Sequence, residues 1–502
     1  MPDDKTPGVY IVEKNAFPSS AIAVPTAIPV FIGYTEKAER NGKGLKYFPT
    51  KISSMTEYAE LFGAAFHPKF VIKRAAVSNA QMFKLNGEDI YIKHAENNEL
   101  YFYNAIRFFY LNGGRDCYIL SVGSYDDVRS RGISPDDYSG DTEKNIPNVF
   151  SILEKEWEPT LVLLPDVVAL KDDKGVPAYY HLYVHVLDHC NKTQSRFAIF
   201  DVARSADTAK HDAIDLFRNS IGSNALKYGA AYYPWLKTSV MDDTEINYTN
   251  LEDEYTTLDG LIPAGETEAR AIVESLKNTS ATTQKENHQS LMSVSSTYKQ
   301  IMAALKSSVN LLPPGAAMAG IYTLVDTSRG VWKSPANVSV SNVNAPEVII
   351  SNEEQQSMNV DPVSGKSINI IRAFPGIGTL VWGGRTLDGN SQDWRYINVR
   401  RTLIMIEQSL KLATRAYVFE PNDSGTWITL QSMINNFLYN LWKQGALPGY
   451  TPEQAYSVQV GLGVTMTPDD ILDNVLRITV LIAIVRPAEF IEITFQQQQQ
   501  RP

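Results

Sequence analysis

The sequence predicts an α/β (α+β) fold built from more than one domain, with β-strands at both ends of the chain. Apolar, strand-like runs alternate with helical segments between residues 28 and 201, and a second alternation runs from residue 346 towards the C-terminus. This order is typical of domains in which helices cover a largely parallel sheet. With 502 residues, 44% of them hydrophobic, the chain is long enough for roughly two to four domains with their own cores.

The elements of the first part of the chain are delimited by apolar runs, caps and glycines. Ser54 and Gly63 bracket a short helix as its N-cap and C-cap. In chain order we expect a strand at 28–34, helices at 54–63 and 100–112, strands at 116–122 and 161–166, a helix at 178–190 and a strand at 196–201.

Two segments interrupt this pattern and are expected to be surface insertions, at about residues 36–99 and 241–312. Residues 241–278 carry ten acidic and two basic residues, which indicates a solvated segment that is either folded at the surface or disordered. Beyond the insertions we expect strands near 347–350, 368–374, 379–382, 456–461 and 475–485, and helices near 395–415 and 426–444.

Both ends of the chain contain strand-forming residues without an evident partner. The C-terminal residues alternate apolar and polar, and the N-terminal run is β-branched and aromatic, followed by prolines that keep it extended. An unpaired strand edge recruits another chain, so the sequence predicts a subunit that donates and accepts strands. The arm residues are Val9, Tyr10, Ile11 and Val12 at the N-terminus, and Phe490, Ile491, Ile493 and Phe495 at the C-terminus.

Composition argues against several other classes of protein. A net charge of -10 is unlike that of a generally basic nucleic-acid binder. No apolar run is long enough to span a bilayer, and the first residues do not form a signal peptide, so we expect folding in a cytoplasm.

Cys117 and Cys190 are expected to be reduced and buried. No cofactor is expected, because Val360 stands where a phosphate loop ending in Lys366 and Ser367 would need glycine.

A row of histidines offers an alternative function. His181, His185 and His189 recur every four residues on one predicted helix, beside Asp188 and Cys190. These residue types bind zinc, so an α/β metalloenzyme using the three histidines is the alternative to an assembly protein. Leucine and valine are interleaved with them and no HExxH pattern is present, which favours a partly buried or interfacial histidine row.

A series of short motifs follows one order along the chain. The motifs are Thr6–Ile11, Ala23–Ala27, Phe31–Tyr34, Tyr232–Trp235, Pro313–Gly320, Asp326–Asn337, Asn398–Arg401, Val418–Asn422, Leu441–Gly445 and Arg486–Phe490. Together they resemble contractile tail sheath proteins, most closely those of phage-tail-like contractile injection systems. The resemblance covers the N-terminal arm, most of 100–240 and nearly all of 310–496, and it leaves out both insertions.

The resemblance implies a structural sheath subunit that polymerises as stacked rings around an inner tube and contracts to drive the tube through a target envelope. It implies an N-terminal arm at 1–30, an outer α/β domain at 31–345 that carries both insertions, an inner tube-facing domain at 346–488 and a C-terminal arm at 489–502. The arms would complete a β-sheet in neighbouring subunits.

The same resemblance implies the partners and the location. The expected partners are other copies of the chain, an inner tube protein, baseplate and terminal cap proteins, and sister sheath proteins, with no nucleic acid and no direct membrane insertion. Assembly would take place in the bacterial cytoplasm, as part of a phage tail or a phage-tail-like particle that can be released extracellularly.

The helix near 398–415 is the candidate contact with the tube. Its apolar residues recur at spacings of three and four, which predicts one buried stripe. Its charged residues give it a local charge of about +3 on an acidic chain. The resemblance implies that they grip acidic side chains of the tube; the alternative is a solvated face with an internal pair four residues apart. The charged residues are Arg400, Arg401, Glu407, Lys411 and Arg415.

Overall fold

The computed structural model of the chain describes residues 21–74, 81–170, 172–173, 176–177, 179–204, 212–278, 283–490 and 492. They form two compact units. The large unit comprises Pro25–Arg401 together with Glu489, Phe490 and Glu492. The small unit comprises Thr402–Ala488 together with residues 21–24. No helix in the described ranges is both long and apolar enough to cross a membrane.

The secondary structure mixes helices and strands throughout. The strands are β1 (Pro29–Thr35), β2 (Glu39–Arg40), β3 (Lys43–Gly44), β4 (Thr50–Ile52), β5 (Phe70–Lys73), β6 (Gln81–Leu85), β7 (Glu88–His94), β8 (Cys117–Ser124), β9 (Leu161–Leu163), β10 (Asp172–Asp173), β11 (Val176–Pro177), β12 (Phe197–Asp201), β13 (Gly229–Tyr233), β14 (Leu236–Thr238), β15 (Leu311–Leu312), β16 (Val338–Ser339), β17 (Val343–Pro346), β18 (Ile368–Phe374), β19 (Gly378–Val381), β20 (Tyr456–Val460) and β21 (Ile478–Ile482). The α-helices are α1 (Met55–Phe62), α2 (Phe102–Leu111), α3 (Tyr125–Arg131), α4 (Asp136–Ser139), α5 (Val149–Leu153), α6 (Tyr179–Thr193), α7 (Asp212–Ser220), α8 (Glu254–Leu261), α9 (Thr267–Ser275), α10 (Gln284–Val294), α11 (Ser296–Val309), α12 (Gly315–Arg329), α13 (Asn352–Asn359), α14 (Ile397–Thr414), α15 (Ser424–Lys443), α16 (Pro452–Ala455) and α17 (Pro468–Leu472).

A nine-stranded sheet forms the centre of the large unit. Its order is β16-β19-β18-β13-β12-β9-β1-β8-β4. The six strands from β18 to β8 are parallel to one another, and the strands at either edge join antiparallel. Every residue of β1, β12 and β13 is buried, as expected for parallel strands covered on both faces. The predicted α/β class is therefore confirmed.

Two buried carboxylates fix the starts of helices at the carboxyl ends of parallel strands. Asp166, just after β9, accepts hydrogen bonds from the backbone N–H groups of Tyr34, Tyr101 and Phe102 at 2.8–2.9 Å. Asp201, at the end of β12, accepts one from Gly315 at the start of α12, at 2.6 Å. Burial raises the pKa of Asp166 to about 6 and that of Asp201 to about 7.

The two predicted insertions contribute to one common core. The sheet β5-β7-β6 comes from the first insertion and α8–α11 come from the second. Phe70 forms a β-bridge with Leu251, and the Lys69 ammonium donates to the carbonyl of Thr249 at 2.6 Å. Their shared core includes Phe70, Leu85, Ile90, Ile92, Leu251, Leu258, Val273, Leu291, Ile301 and Leu305. The acidic segment 241–278 is thus folded.

The structure differs from the prediction at one strand. The strand expected near 347–350 is absent there, because the chain pairs with β14 through β17, which ends at Pro346. Because β18 and β19 extend the nine-stranded sheet, the compact units divide after Arg401. The predicted outer domain at 31–345 and inner domain at 346–488 stay a prediction.

Candidate functional site

In the part of the small unit that the structure describes, the sheet has two strands. β20 and β21 are antiparallel, with Tyr456 opposite Ile482 and Val460 opposite Ile478, and α15 packs against β20. Within the described part of the chain no third strand pairs with either, so the outer edges of both are open. A two-stranded sheet is marginally stable by itself, and open edges pair with strands of other chains.

The predicted arm residues lie almost entirely beyond the described ranges. Phe490 is described, and it is 78% exposed. The other seven, Val9, Tyr10, Ile11, Val12, Ile491, Ile493 and Phe495, lie outside the described residues. Their role as inter-subunit strands stays a prediction.

The five charged residues predicted for tube contact fall into two groups. Arg400 and Arg401 are buried, at 2% and 3% exposure. Glu407, Lys411 and Arg415 are exposed and spaced four residues apart, so they form one charged face. The guanidinium groups of the two arginines are thus engaged inside the large unit. Contact of these five residues with a tube stays a prediction.

Arg401 helps to hold the chain that leads from the N-terminus into the sheet. It forms a buried ion pair with Asp326, with 2.6 Å between the closest nitrogen and oxygen, and its guanidinium lies over the Tyr322 ring. It also donates to the Thr26 carbonyl at 3.0 Å, and the Thr26 hydroxyl donates to Asp326 at 2.5 Å. Arg401 and Asp326 thus clamp Thr26, just before β1.

Arg400 is packed between aromatic rings. Its guanidinium lies 5.0 Å from the centroid of the Tyr228 ring and 4.8 Å from that of Trp394. Such cation–π contacts suit a buried guanidinium. The sequence contained a signal for this burial: Ile397, Leu403 and Ile404, the helical neighbours of Arg400, are all apolar.

The loop after α14 presents an aromatic residue that sequence reasoning missed. Phe419 is fully exposed and has a φ of +74°, a backbone conformation that is strained for a bulky residue. Val418 beside it and Leu412 on α14 are also exposed, at 61% and 52%. No sequence pattern indicates a positive φ at a phenylalanine, so the conformation and exposure of Phe419 could not be predicted from the sequence.

The histidine row does not form a metal site. His181 and His185 are exposed, whereas His189 is buried, with its Nε2 2.5 Å from a guanidinium nitrogen of Arg196. Burial, reinforced by Arg196, lowers the pKa of His189 to about 4. Among the described residues no group of three or more His, Cys, Asp or Glu side chains is arranged to hold a metal. Nothing in this geometry favours the metalloenzyme alternative.

An α/β protein that has a sheet of two strands, β20 and β21, among its described residues fits a subunit that assembles with other chains. The proteins that it resembles are sheath proteins. A model of the phage tail sheath C-terminal domain matches residues 390–498, which include α14, α15 and the β20–β21 sheet. The tail sheath protein of Burkholderia phage BcepMu is 30% identical over 145 residues, and that of Vibrio phage KVP40 is 23% identical over 188. The matched segments are 28% and 37% of this chain, and they span 30% and 26% of the two phage proteins.

Solved sheath structures match nearly the whole chain. The sheath of the extracellular contractile injection system PVC, in its contracted state, has a TM-score of 0.61 and 26% identity, covering 99% of this chain and 98% of that one. The contracted helical sheath of the anti-feeding prophage has a TM-score of 0.60 and 27% identity, covering 98% and 99%. A chain of the anti-feeding prophage baseplate also gives 0.60 and 27%, covering 99% of both. These findings confirm the resemblance to contractile tail sheath proteins, which extends over nearly the whole chain.

Proposed function

We propose that the chain polymerises as stacked rings around an inner tube and contracts to drive the tube through a target envelope. The observation that carries this proposal is the β20–β21 sheet, which has two strands and no third strand at either edge among the described residues. It lies in the segment that resembles the sheath C-terminal domain. The similarity to PVC and anti-feeding prophage sheaths in contracted states supports the contractile part of the proposal.

The arms of neighbouring subunits would supply the missing strands. One arm pairs with the open edge of β20 and another with that of β21, which turns a marginal hairpin into a four-stranded sheet. The apolar residues of each arm, Val9 to Val12 and Phe490 to Phe495, suit a strand with one buried face. Backbone hydrogen bonds hold such a joint and let it persist while other contacts between rings change.

The charged face of α14 and of the turn that follows it at Arg415 would contact the tube. Glu407, Lys411 and Arg415 are exposed, and Phe419 adds an apolar group on the loop that follows. Contacts between exposed charges contribute below ~1 kcal/mol each, which suits an attachment that contraction must release. Arg400 and Arg401 are not part of this surface, because they are buried.

The expected partners are other copies of the chain, an inner tube protein, baseplate and terminal cap proteins, and sister sheath proteins. The likeness to a chain of the anti-feeding prophage baseplate structure supports contact with a baseplate. We propose assembly in the bacterial cytoplasm within a phage-tail-like particle that is released from the cell. The role is structural, and no catalysis is proposed.

Electron microscopy of three proteins tests the proposal. The full chain, expressed with its tube protein, should form hollow, helically ridged cylinders. A truncation that removes residues 490–502 should keep the subunit folded but abolish cylinder growth, because Phe490 and Glu492, the described residues of this segment, are exposed. Glu492→Gln is the matched control, since it alters the arm by one exposed charge. Cylinders of normal length from the truncation would contradict strand donation by this arm.

A further inference from the structure

A side chain at the start of the C-terminal arm is held in a polar site of the large unit. The Glu489 carboxylate accepts hydrogen bonds from Arg385 Nε at 3.0 Å and from a terminal guanidinium nitrogen of Arg385 at 2.6 Å. It also accepts from Asn359 Nδ2 at 2.7 Å and from the Tyr396 hydroxyl at 3.1 Å. Three residues from separate parts of the chain thus converge on one carboxylate.

The groups that bind Glu489 are themselves fixed in place. Arg385 is 3% exposed, and its backbone N–H donates to the buried side chain of Asn369 at 2.8 Å. Its guanidinium also donates to the Gly389 carbonyl at 3.2 Å and lies over the Tyr396 ring. Arg385 and Tyr396 are further joined by a backbone bridge. Because Asn369 belongs to β18, the site is built onto the nine-stranded sheet.

The electrostatics of the site favour a bound carboxylate. Burial alone would raise the pKa of Glu489, but the hydrogen bonds from Arg385, Asn359 and Tyr396 outweigh it and lower that pKa. A two-pronged arginine contact to a carboxylate is both strong and directional. The residues that follow, by contrast, are exposed where they are described: Phe490 is 78% exposed and Glu492 is exposed as well.

We propose that Arg385, Asn359 and Tyr396 form a carboxylate receptor that binds Glu489 and fixes the C-terminal arm to the large unit. The arm therefore begins at a rigid point of the nine-stranded sheet, although residues 402–488, which precede it, belong to the small unit. When a neighbouring subunit binds the arm and exerts a force on it, Glu489 and its receptor transmit that force to β18. This last step rests on the proposed sheath function, whereas the receptor itself does not.

Spin labelling of the free subunit tests the receptor. Both natural cysteines, Cys117 and Cys190, are buried, so a nitroxide attached to Glu492→Cys reports on the arm selectively. In the parent protein we expect a slowly tumbling label. Adding Glu489→Gln should shift the spectrum towards the fast motion of a free terminus. Tyr396→Phe, which removes only one donor, should produce a smaller shift in the same direction.

A matched control and an assembly measurement complete the test. Glu353→Gln removes an exposed carboxylate from α13, the helix that ends at Asn359, and it should leave the label unchanged. An equally slow label with Glu489→Gln, while the protein melts at the parent temperature, would overturn the receptor.

In assembled sheaths, Glu489→Gln should raise the fraction of sheaths that are broken between rings after contraction. Intact sheaths would overturn the mechanical role, and failure of the wild-type chain to form sheaths would count against the proposed function alone.

Discussion

Replacing Arg401 distinguishes an internal clamp from a surface contact. Arg401→Met removes the cation that pairs with Asp326, and the two side chains are 3% and 5% exposed. Removing one partner of a buried pair leaves an uncompensated charge and destabilises by about 3–5 kcal/mol. The Thr26 carbonyl also loses a donor, which adds about 1 kcal/mol. We expect this loss in the free energy of unfolding of the large unit, measured by urea denaturation.

The double variant Arg401→Met, Asp326→Leu is the internal control for that measurement. It replaces the whole pair by apolar side chains, and such replacements are often neutral, so most of the lost stability should return. An exposed arginine that grips a tube would instead contribute less than ~1 kcal/mol to folding. A loss below that value in Arg401→Met, or no recovery in the double variant, would refute the clamp.

Three further predictions follow from buried and exposed groups. Because burial raises the pKa of Asp201 to about 7, its neutral form adds stability that is complete below about pH 4 and is lost as the pH rises to about 7. Asp201→Asn should therefore flatten the fall in melting temperature between about pH 4 and 7. Gly320→Ala should destabilise the protein by about 1–3 kcal/mol, because the new Cβ would lie 2.5 Å from a carbonyl oxygen of α2. Gly260→Ala, where no atom lies within 4 Å of the new Cβ, should stabilise it by about 0.5–1 kcal/mol. Equal melting temperatures of the two variants would contradict the close packing of α12 against α2. Lys411→Glu with Arg415→Glu should leave the melting temperature unchanged and reduce cosedimentation with the tube protein; undiminished binding would exclude this face.

Elements with local signals could be predicted from the sequence. Ser54 caps α1 through its side chain, which accepts from the Glu57 N–H, and Gly63 ends the helix with a φ of +89°. The apolar runs at 28–34 and 196–201 became fully buried strands of the parallel sheet. Caps and apolar runs act over a few residues, so a single sequence contains what is needed to recognise them.

Features that depend on distant residues could not be predicted. Phe70 meets Leu251, and nothing local in either insertion indicates that their segments share a core. Arg401 and Lys411 are both positive charges on one helix, and the sequence does not distinguish them. Arg401 is buried because it forms an ion pair with Asp326, which lies 75 positions away. The sequence does not indicate that Glu489 is bound, because its partners Asn359, Arg385 and Tyr396 lie 93 to 130 positions away.

The anchors next to both arms suggest why the subunit donates its strands. Thr26, near the end of the N-terminal arm, and Glu489, at the start of the C-terminal arm, are each held by a buried arginine of the large unit. Among the described residues, β20 and β21 have no third strand beside them, and both belong to the small unit. The C-terminal arm therefore starts on a different compact unit from the sheet that would accept a strand. An arm with a fixed origin loses less conformational freedom when a neighbour binds it, because its reach is already restricted. The arginine anchors thus make strand exchange more favourable, and removing either should weaken assembly more than it weakens the acceptor sheet.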